Sequence, residues 1–186
     1  MLRLIYLISL CILLASCTHL QRKSGSIDVT QSASKNWSLN GKFALSNGKE
    51  NGSGKISYSV NNKTIHAKFK APLGQGSWEI KQDKNKAELL SSRHNPVYGN
   101  NAQKLISQEL GWNFPWDSLI YWLQGFKSNE KITTHLSNNL KEIQDNGWTI
   151  TYAKWIQTAN GFLPKKIKAS KPPYTVKLII YNWNFD

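Results

Sequence analysis

The sequence predicts a mainly β domain with a helical insertion: an open, unclosed antiparallel β-barrel covered by short helices. Three observations carry that expectation. From Asn36 onward apolar and polar residues alternate at period two, which marks strands with one buried face. Between Asn100 and Lys127 the alternation gives way to two short segments with apolar residues at helical spacing, and then it returns. Those helices must bury their stripes, and the concave face of a curved sheet is the large apolar surface available to them.

The chain starts with an export signal. Met1 and Arg3 form a minimal basic region, and Leu4 to Leu14 is an apolar run of about eleven residues. That length suits a signal peptide and is too short to span a bilayer. Leu14-Ala15-Ser16-Cys17 closes the run as a lipobox, with small residues where a peptidase needs room. Residues 1–16 are therefore expected to be a lipoprotein signal peptide, and Cys17 the lipid-attachment residue at the new N-terminus. An ordinary secretory signal is the alternative. Thr18 to Lys35 is rich in Ser, Gln, Lys and Thr and lacks aromatic residues. With Cys17 it makes residues 17–35 a lipidated, flexible tether. Residues 36–186 are the globular domain.

Within the domain, Trp37, Leu39, Gly41, Phe43 and Leu45 alternate with polar or small residues in a first strand. Gly48 to Gly54 reads as a polar turn region. Ile56, Tyr58 and Val60 form a second strand, Asn61-Asn62 a tight turn, and Ile65, Ala67 and Phe69 the returning strand. Trp78 and Ile80, then Ala87 and Leu89, continue the meander. Asn100 or Asn101 can cap a helix carrying Ala102, Leu105, Ile106 and Leu110, which Gly111 can end. After Pro115, Trp116, Leu119, Ile120 and Leu123 fall at i, i+3, i+4 and i+7, with Gly125 as the stop. Strands resume through Leu140–Ile143, Trp148–Tyr152, Ile167 and Thr175–Trp183. Both faces of that last strand are apolar, so its inward side is open.

Composition narrows the function. About 170 of the 186 residues remain after processing, enough for one domain. Cys17 is then the last cysteine, so packing alone must hold the fold. The chain carries a formal charge of +13, or +12 once Arg3 leaves with the signal. Such a charge often marks nucleic-acid binding, but an exported lipoprotein meets little nucleic acid. Anionic headgroups attract Lys at about 1 kcal/mol per residue near the surface. Scattered lysines that merely solvate a small β domain are the other reading.

No catalytic constellation stands out. His19, His66, His94 and His135 lack metal-ligand spacing, so no metal is expected. Gly52-Ser53-Gly54-Lys55 lacks the first glycine of a phosphate loop and has Ile56 where Ser or Thr is needed. No Ser sits in a G-x-S-x-G elbow, and the eleven acidic residues are scattered. The expectation is a non-enzyme without cofactor. Eight Trp, seven Tyr and six Phe make an aromatic interior, either solid core or a lipid-holding cavity. The inward strand positions Phe43, Ile56, Tyr58, Phe69, Trp78, Ile150 and Tyr152 are expected to share one apolar volume with the stripe Trp116, Leu119, Ile120 and Leu123. In the loop after Lys70, Pro72 sets one backbone angle, and Gly74 and Gly76 allow a reversal, which puts Leu73 at the tip.

Several segments also resemble a known family. They are Trp37–Phe43 (WSLNGKF), Ala71–Gly74 (APLG), Leu110–Pro115 (LGWNFP), Leu119–Gly125 (LIYWLQG), Gly147–Tyr152 (GWTITY), Leu163-Pro164 and Ile180–Trp183 (IYNW). Their order and approximate spacing are similar to those of the LolB family of outer-membrane lipoprotein receptors. The resemblance covers nearly the whole mature chain. It implies an open β-barrel with a helical lid, anchored in the inner leaflet of the outer membrane of a Gram-negative bacterium, and working as a monomer. It implies receipt of acylated lipoproteins from the periplasmic carrier LolA and their insertion into the phospholipid bilayer without nucleotide. It further implies that Pro72, Leu73 and Gly74 form a membrane-insertion loop. Thr18 in place of Asp after Cys17 favours the outer membrane by the same analogy. Two departures are a short tether and Trp116, where smaller apolar residues are common and where its bulk narrows the cavity. A partner-binding or structural lipoprotein with a closed β core is the alternative, and a lipid hydrolase is a third class without a nucleophile to support it.

Overall fold

The computed structural model describes residues 27–31, 35–72, 76–128, 132–136 and 141–185. Cys17, Leu73 and Gly74 lie outside them. Ten antiparallel strands form one sheet: β2 (Trp37–Ser46), β3 (Asn51–Asn61), β4 (Thr64–Lys70), β5 (Ser77–Gln82), β6 (Ala87–Ser91), β7 (Val97–Gly99), β9 (Lys141–Asp145), β10 (Trp148–Thr158), β11 (Gly161–Lys171) and β12 (Tyr174–Phe185). Their order is β7-β6-β5-β4-β3-β2-β12-β11-β10-β9, so β12 returns beside β2 while β7 and β9 remain unpaired edges among the described residues. The barrel is open, as expected. A separate pair joins β1 (Ile27–Gln31) to β8 (Ile132–Leu136). Five residues of the stretch read as tether, Ile27–Gln31, are therefore strand.

Local chemistry sets the turns. Asn62 and Lys63 take positive φ of 47° and 77° between β3 and β4, and Asn146-Gly147 do the same between β9 and β10. Such left-handed pairs match the twist of a two-residue hairpin. The polar turn expected over Gly48–Gly54 ends earlier than read, because β3 begins at Asn51. Gly54 belongs in that strand for lack of a side chain: a Cβ there would lie 2.0 Å from the Lys70 carbonyl oxygen.

Two helices cross the concave face. In α1 (Ala102–Leu110), Asn101 Oδ1 accepts from the Lys104 N–H at 2.9 Å, and Gly111 ends the helix with a φ of 68°. In α2 (Trp116–Gln124) Pro115 provides no side-chain cap, and Gly125 ends the helix at φ 94°. The apolar stripe does not describe α2 fully, since Ser118, Trp122 and Gln124 are buried as well. The helix is enclosed on two sides.

The last strand turns Val176, Leu178 and Ile180 inward and leaves Ile179 and Tyr181 exposed. A bulge between Ile180 and Asn182 then brings Trp183 round to Trp37, with ring centroids 5.3 Å apart. Gly41 permits that bulge, because a Cβ there would sit 2.3 Å from the Ile179 carbonyl oxygen.

Candidate functional site

Between the concave face and the helices lies a cavity of about 80 Å³ with an entirely apolar wall. The sheet contributes Phe43, Leu45, Ile56, Phe69, Trp78, Ile80, Val176 and Leu178. The roof is Ile106 and Leu110 of α1, Trp112 and Phe114 of the connection, and Trp116 and Leu119 of α2. Phe43 and Phe69 meet edge to face at 5.3 Å across its floor.

Of the eleven side chains assigned to this volume from sequence, six border it: Phe43, Ile56, Phe69, Trp78, Trp116 and Leu119. Tyr58, Ile150 and Tyr152 instead pack as solid core with no exposed surface. Tyr152 is committed elsewhere, its hydroxyl donating to the Trp122 carbonyl at 3.0 Å. Leu123 borders only a gap of about 10 Å³ with Ile167 and Ala169 of β11, and Ile120 is half-buried away from the cavity. Alternation alone named the inward face of each strand but not how far the cavity reaches along it.

The connection carries a signal that strand and helix periods conceal. Leu110, Trp112, Phe114 and Trp116 all face the cavity. Asn113 and Pro115, which lie between them, and Asp117, which follows, line a polar cleft of about 400 Å³ with Gln103, Ser118, Asn146, Trp148, Lys171 and Tyr174. This short wall thus separates an apolar space from a polar one. Period two over Trp112–Pro115, between the helices, is legible in the sequence as amphipathic, extended chain.

Polar contacts tie the roof to the sheet. Asp145 Oδ2, at the end of β9, accepts from Trp122 Nε1 at 2.7 Å, from Ser128 Oγ at 2.7 Å and from the Ser128 N–H at 3.1 Å. Asn146 Nδ2 donates to Ser118 Oγ at 2.9 Å, and Lys141 Nζ to the Gly125 carbonyl at 2.9 Å. Desolvation pushes the Asp145 carboxyl up, but the hydrogen bonds from Trp122 and Ser128 outweigh it and hold it below its ordinary value. Burial drives the Tyr58 and Tyr152 phenols far above theirs, aided by the Asp117 and Asp145 carboxylates respectively. The Trp37, Trp116 and Trp155 indole N–H groups and the Tyr58 hydroxyl are buried without a hydrogen-bond partner among the described residues. Among the described residues no three His, Cys, Asp or Glu side chains converge.

Leu119 and Leu123, one turn apart, test whether the cavity is real. Leu123 has no exposed surface, whereas Leu119 has void on one side and so fewer contacts to lose. Leu123→Ala should cost about 2–5 kcal/mol. Leu119→Ala should cost less and change the binding of a fluorescent fatty-acid probe. Equal losses in thermal melts with unaltered probe binding would point to a solid core.

The comparisons with known proteins agree with this architecture. Residues 35–183 match the family described as Outer membrane lipoprotein LolB. The outer-membrane lipoprotein LolB of Marinomonas sp. (strain MWYL1) is 31% identical over 159 residues, covering 83% of each chain. That of Nitrosococcus oceani is 29% identical over 196 residues, covering 97% of this chain and 96% of that one. Among solved structures, a DUF1329 family protein from Desulfovibrio piger has a TM-score of 0.53 over 83% of this chain and 87% of that chain, at 8% identity, a likeness of fold alone. With the family match running from the residue before Asn36 into β12 and relatives of this similarity over most of their length, the chain belongs to the LolB family of outer-membrane lipoproteins.

Proposed function

We propose that this protein is an outer-membrane lipoprotein receptor that shelters the acyl chains of arriving lipoproteins and releases them into the inner leaflet. The observation that carries this reading is the wholly apolar cavity beneath α1, α2 and their connection in a chain of this family. An acyl chain gains about 0.8 kcal/mol for each methylene kept from water, so a two- or three-chain anchor cannot cross the periplasm uncovered. The periplasmic carrier LolA supplies the cargo, and Cys17, acylated at the N-terminus, holds the receptor on the periplasmic side of the membrane. Affinities that rise from carrier to receptor to bilayer make each transfer downhill. No nucleotide and no catalytic step are invoked.

The cavity at about 80 Å³ is well below the roughly 300–1,000 Å³ of an occupied ligand pocket. On this reading, loading an acyl chain requires the roof to lift. Transfer is the measurement that separates this reading from a closed-core, partner-binding lipoprotein. Radiolabelled lipoprotein bound to purified carrier is expected to move to the full-length protein and then to liposomes. Cargo that stays on the carrier in the presence of well-folded receptor would sink this reading in favour of the closed core.

A further inference from the structure

The outer face of the barrel carries a row of lysines that its strand register assembles. Lys70 of β4 stands opposite Lys55 of β3, and Lys55 opposite Lys42 of β2. Lys42 faces Ile179 of β12, Ile179 faces Lys166 of β11, and Lys166 faces Lys154 of β10. All six are exposed. The row crosses six adjacent strands, about 24 Å at the usual strand spacing. In the next row Lys168 stands opposite Lys177.

Like charges placed directly opposite across a strand pair are destabilising. Between β4, β5 and β6 the same sheet sets opposite charges together instead: Lys68 lies opposite Glu79 and Lys81 opposite Glu88, and both pairs are closed ion pairs. Among the described residues no carboxylate reaches any lysine of the row. Solvation alone asks for charge on this face but not for four direct Lys–Lys oppositions, three of them in one row. A multivalent anionic partner does.

We infer that this row is a membrane-contact surface that binds the anionic phospholipid headgroups of the bilayer. Two features favour a lipid surface over an acidic protein. Ile179 and Tyr181 stand exposed within the basic row and beside it, an apolar and an aromatic group of the kind that settles at headgroup level. The row also ends at Lys70, where the chain enters the segment 71–76, whose foot is closed by the Ala71 N–H donating to the Gly76 carbonyl at 2.9 Å. Headgroup contact along the row would bring Lys70, and with it the Ala71–Gly76 foot, to the bilayer surface. The inference rests on the membrane-anchored reading but not on cargo transfer.

The test uses the full-length, acylated protein reconstituted in vesicles of phosphatidylcholine, with and without phosphatidylglycerol. A fluorophore on Ser57→Cys, on the same exposed face as Lys55, reports proximity to headgroup-spin-labelled lipid by quenching. Quenching should be stronger with phosphatidylglycerol and should fall as salt shortens the screening length. Replacing Lys42, Lys55 and Lys166 together by Gln should lower the ratio of face-down to face-up molecules about five-fold per lysine. Replacing the same three by Arg should retain the contact. The salt titration on the unsubstituted residues keeps the test valid if the triple Gln variant misfolds. Quenching that is equal in both lipids, as a surface for an acidic protein would give, or unchanged in a folded triple Gln variant, overturns the inference. Carrier-to-receptor transfer measured in the same vesicles separates the two readings: continued transfer without lipid-dependent quenching leaves the receptor reading standing, and the reverse leaves the contact surface standing.

Discussion

Leu73→Glu is expected to preserve the fold and the uptake of cargo while cutting insertion into liposomes by about ten- to a hundred-fold. Leu73 itself lies outside the described residues, so the expectation rests on its neighbours. Pro72 is exposed at the end of β4, and Gly76 takes a φ of 137° where the chain re-enters β5. The two ends of the segment are joined by the Ala71–Gly76 hydrogen bond, so residues 72–75 are bounded by a closed foot. An apolar side chain on so short a segment has about 1.5–3 kcal/mol to gain from a bilayer. That is enough to orient an anchored domain and too little to anchor it. A carboxylate in the same place reverses the sign, because it would have to leave water to enter. Separate assays for carrier-to-receptor transfer and for receptor-to-liposome release decide the matter. Normal release by a well-folded Leu73→Glu protein would remove this loop from the delivery step.

Asp145→Ala should cost about 2–5 kcal/mol and loosen the roof of the cavity. One carboxylate oxygen accepts three hydrogen bonds from α2 and the segment that follows it. Hydrogen bonds to a charged group contribute about 1.5–3 kcal/mol each, and the Trp122 N–H would be left in a buried site without an acceptor. Because Trp122 holds α2 against β9, its release should raise apolar-probe binding as it lowers the melting temperature. A melt within about 0.5 kcal/mol of the parent, the usual range of surface substitutions, would contradict this role.

The pH dependence has a definite sign. The folded Asp145 carboxyl titrates below its ordinary value, so its contribution is complete above about pH 3.9, the unfolded value, and is lost as pH falls through the folded one. Glu79 behaves alike: desolvation raises its carboxyl, but the hydrogen bonds and charges of His66 and Lys68 outweigh that and hold it below its ordinary value. Asp145→Asn should therefore remove part, not all, of the acid-induced loss of stability, measured as melting temperature against pH. An unchanged acid limb would show that Asp145 is not one of the titrating groups.

Local pattern was enough for much of this protein. Period two named the inward residues of β2 to β6, since a strand side chain's face depends only on its place in the alternation. Asn101, Gly111 and Gly125 bounded the helices, because caps act within a turn of chain. Six of the cavity residues followed from those two periods. The rest required tertiary contacts. Val176 against Ile179 could not be ranked while both faces of β12 were apolar, and pairing with β2 and β11 decided it. Trp122 lay off the apolar stripe and became buried because Asp145, more than twenty residues later, supplied an acceptor for its indole. The lysine row is the clearest case: Lys42, Lys55, Lys70, Lys154 and Lys166 are scattered along the chain, and only the register of six strands sets them side by side. Sequence thus determined which face each segment would bury, because that is a property of the chain's own repeat. Structure alone determined which segments would meet, because register and closure depend on residues far apart in sequence.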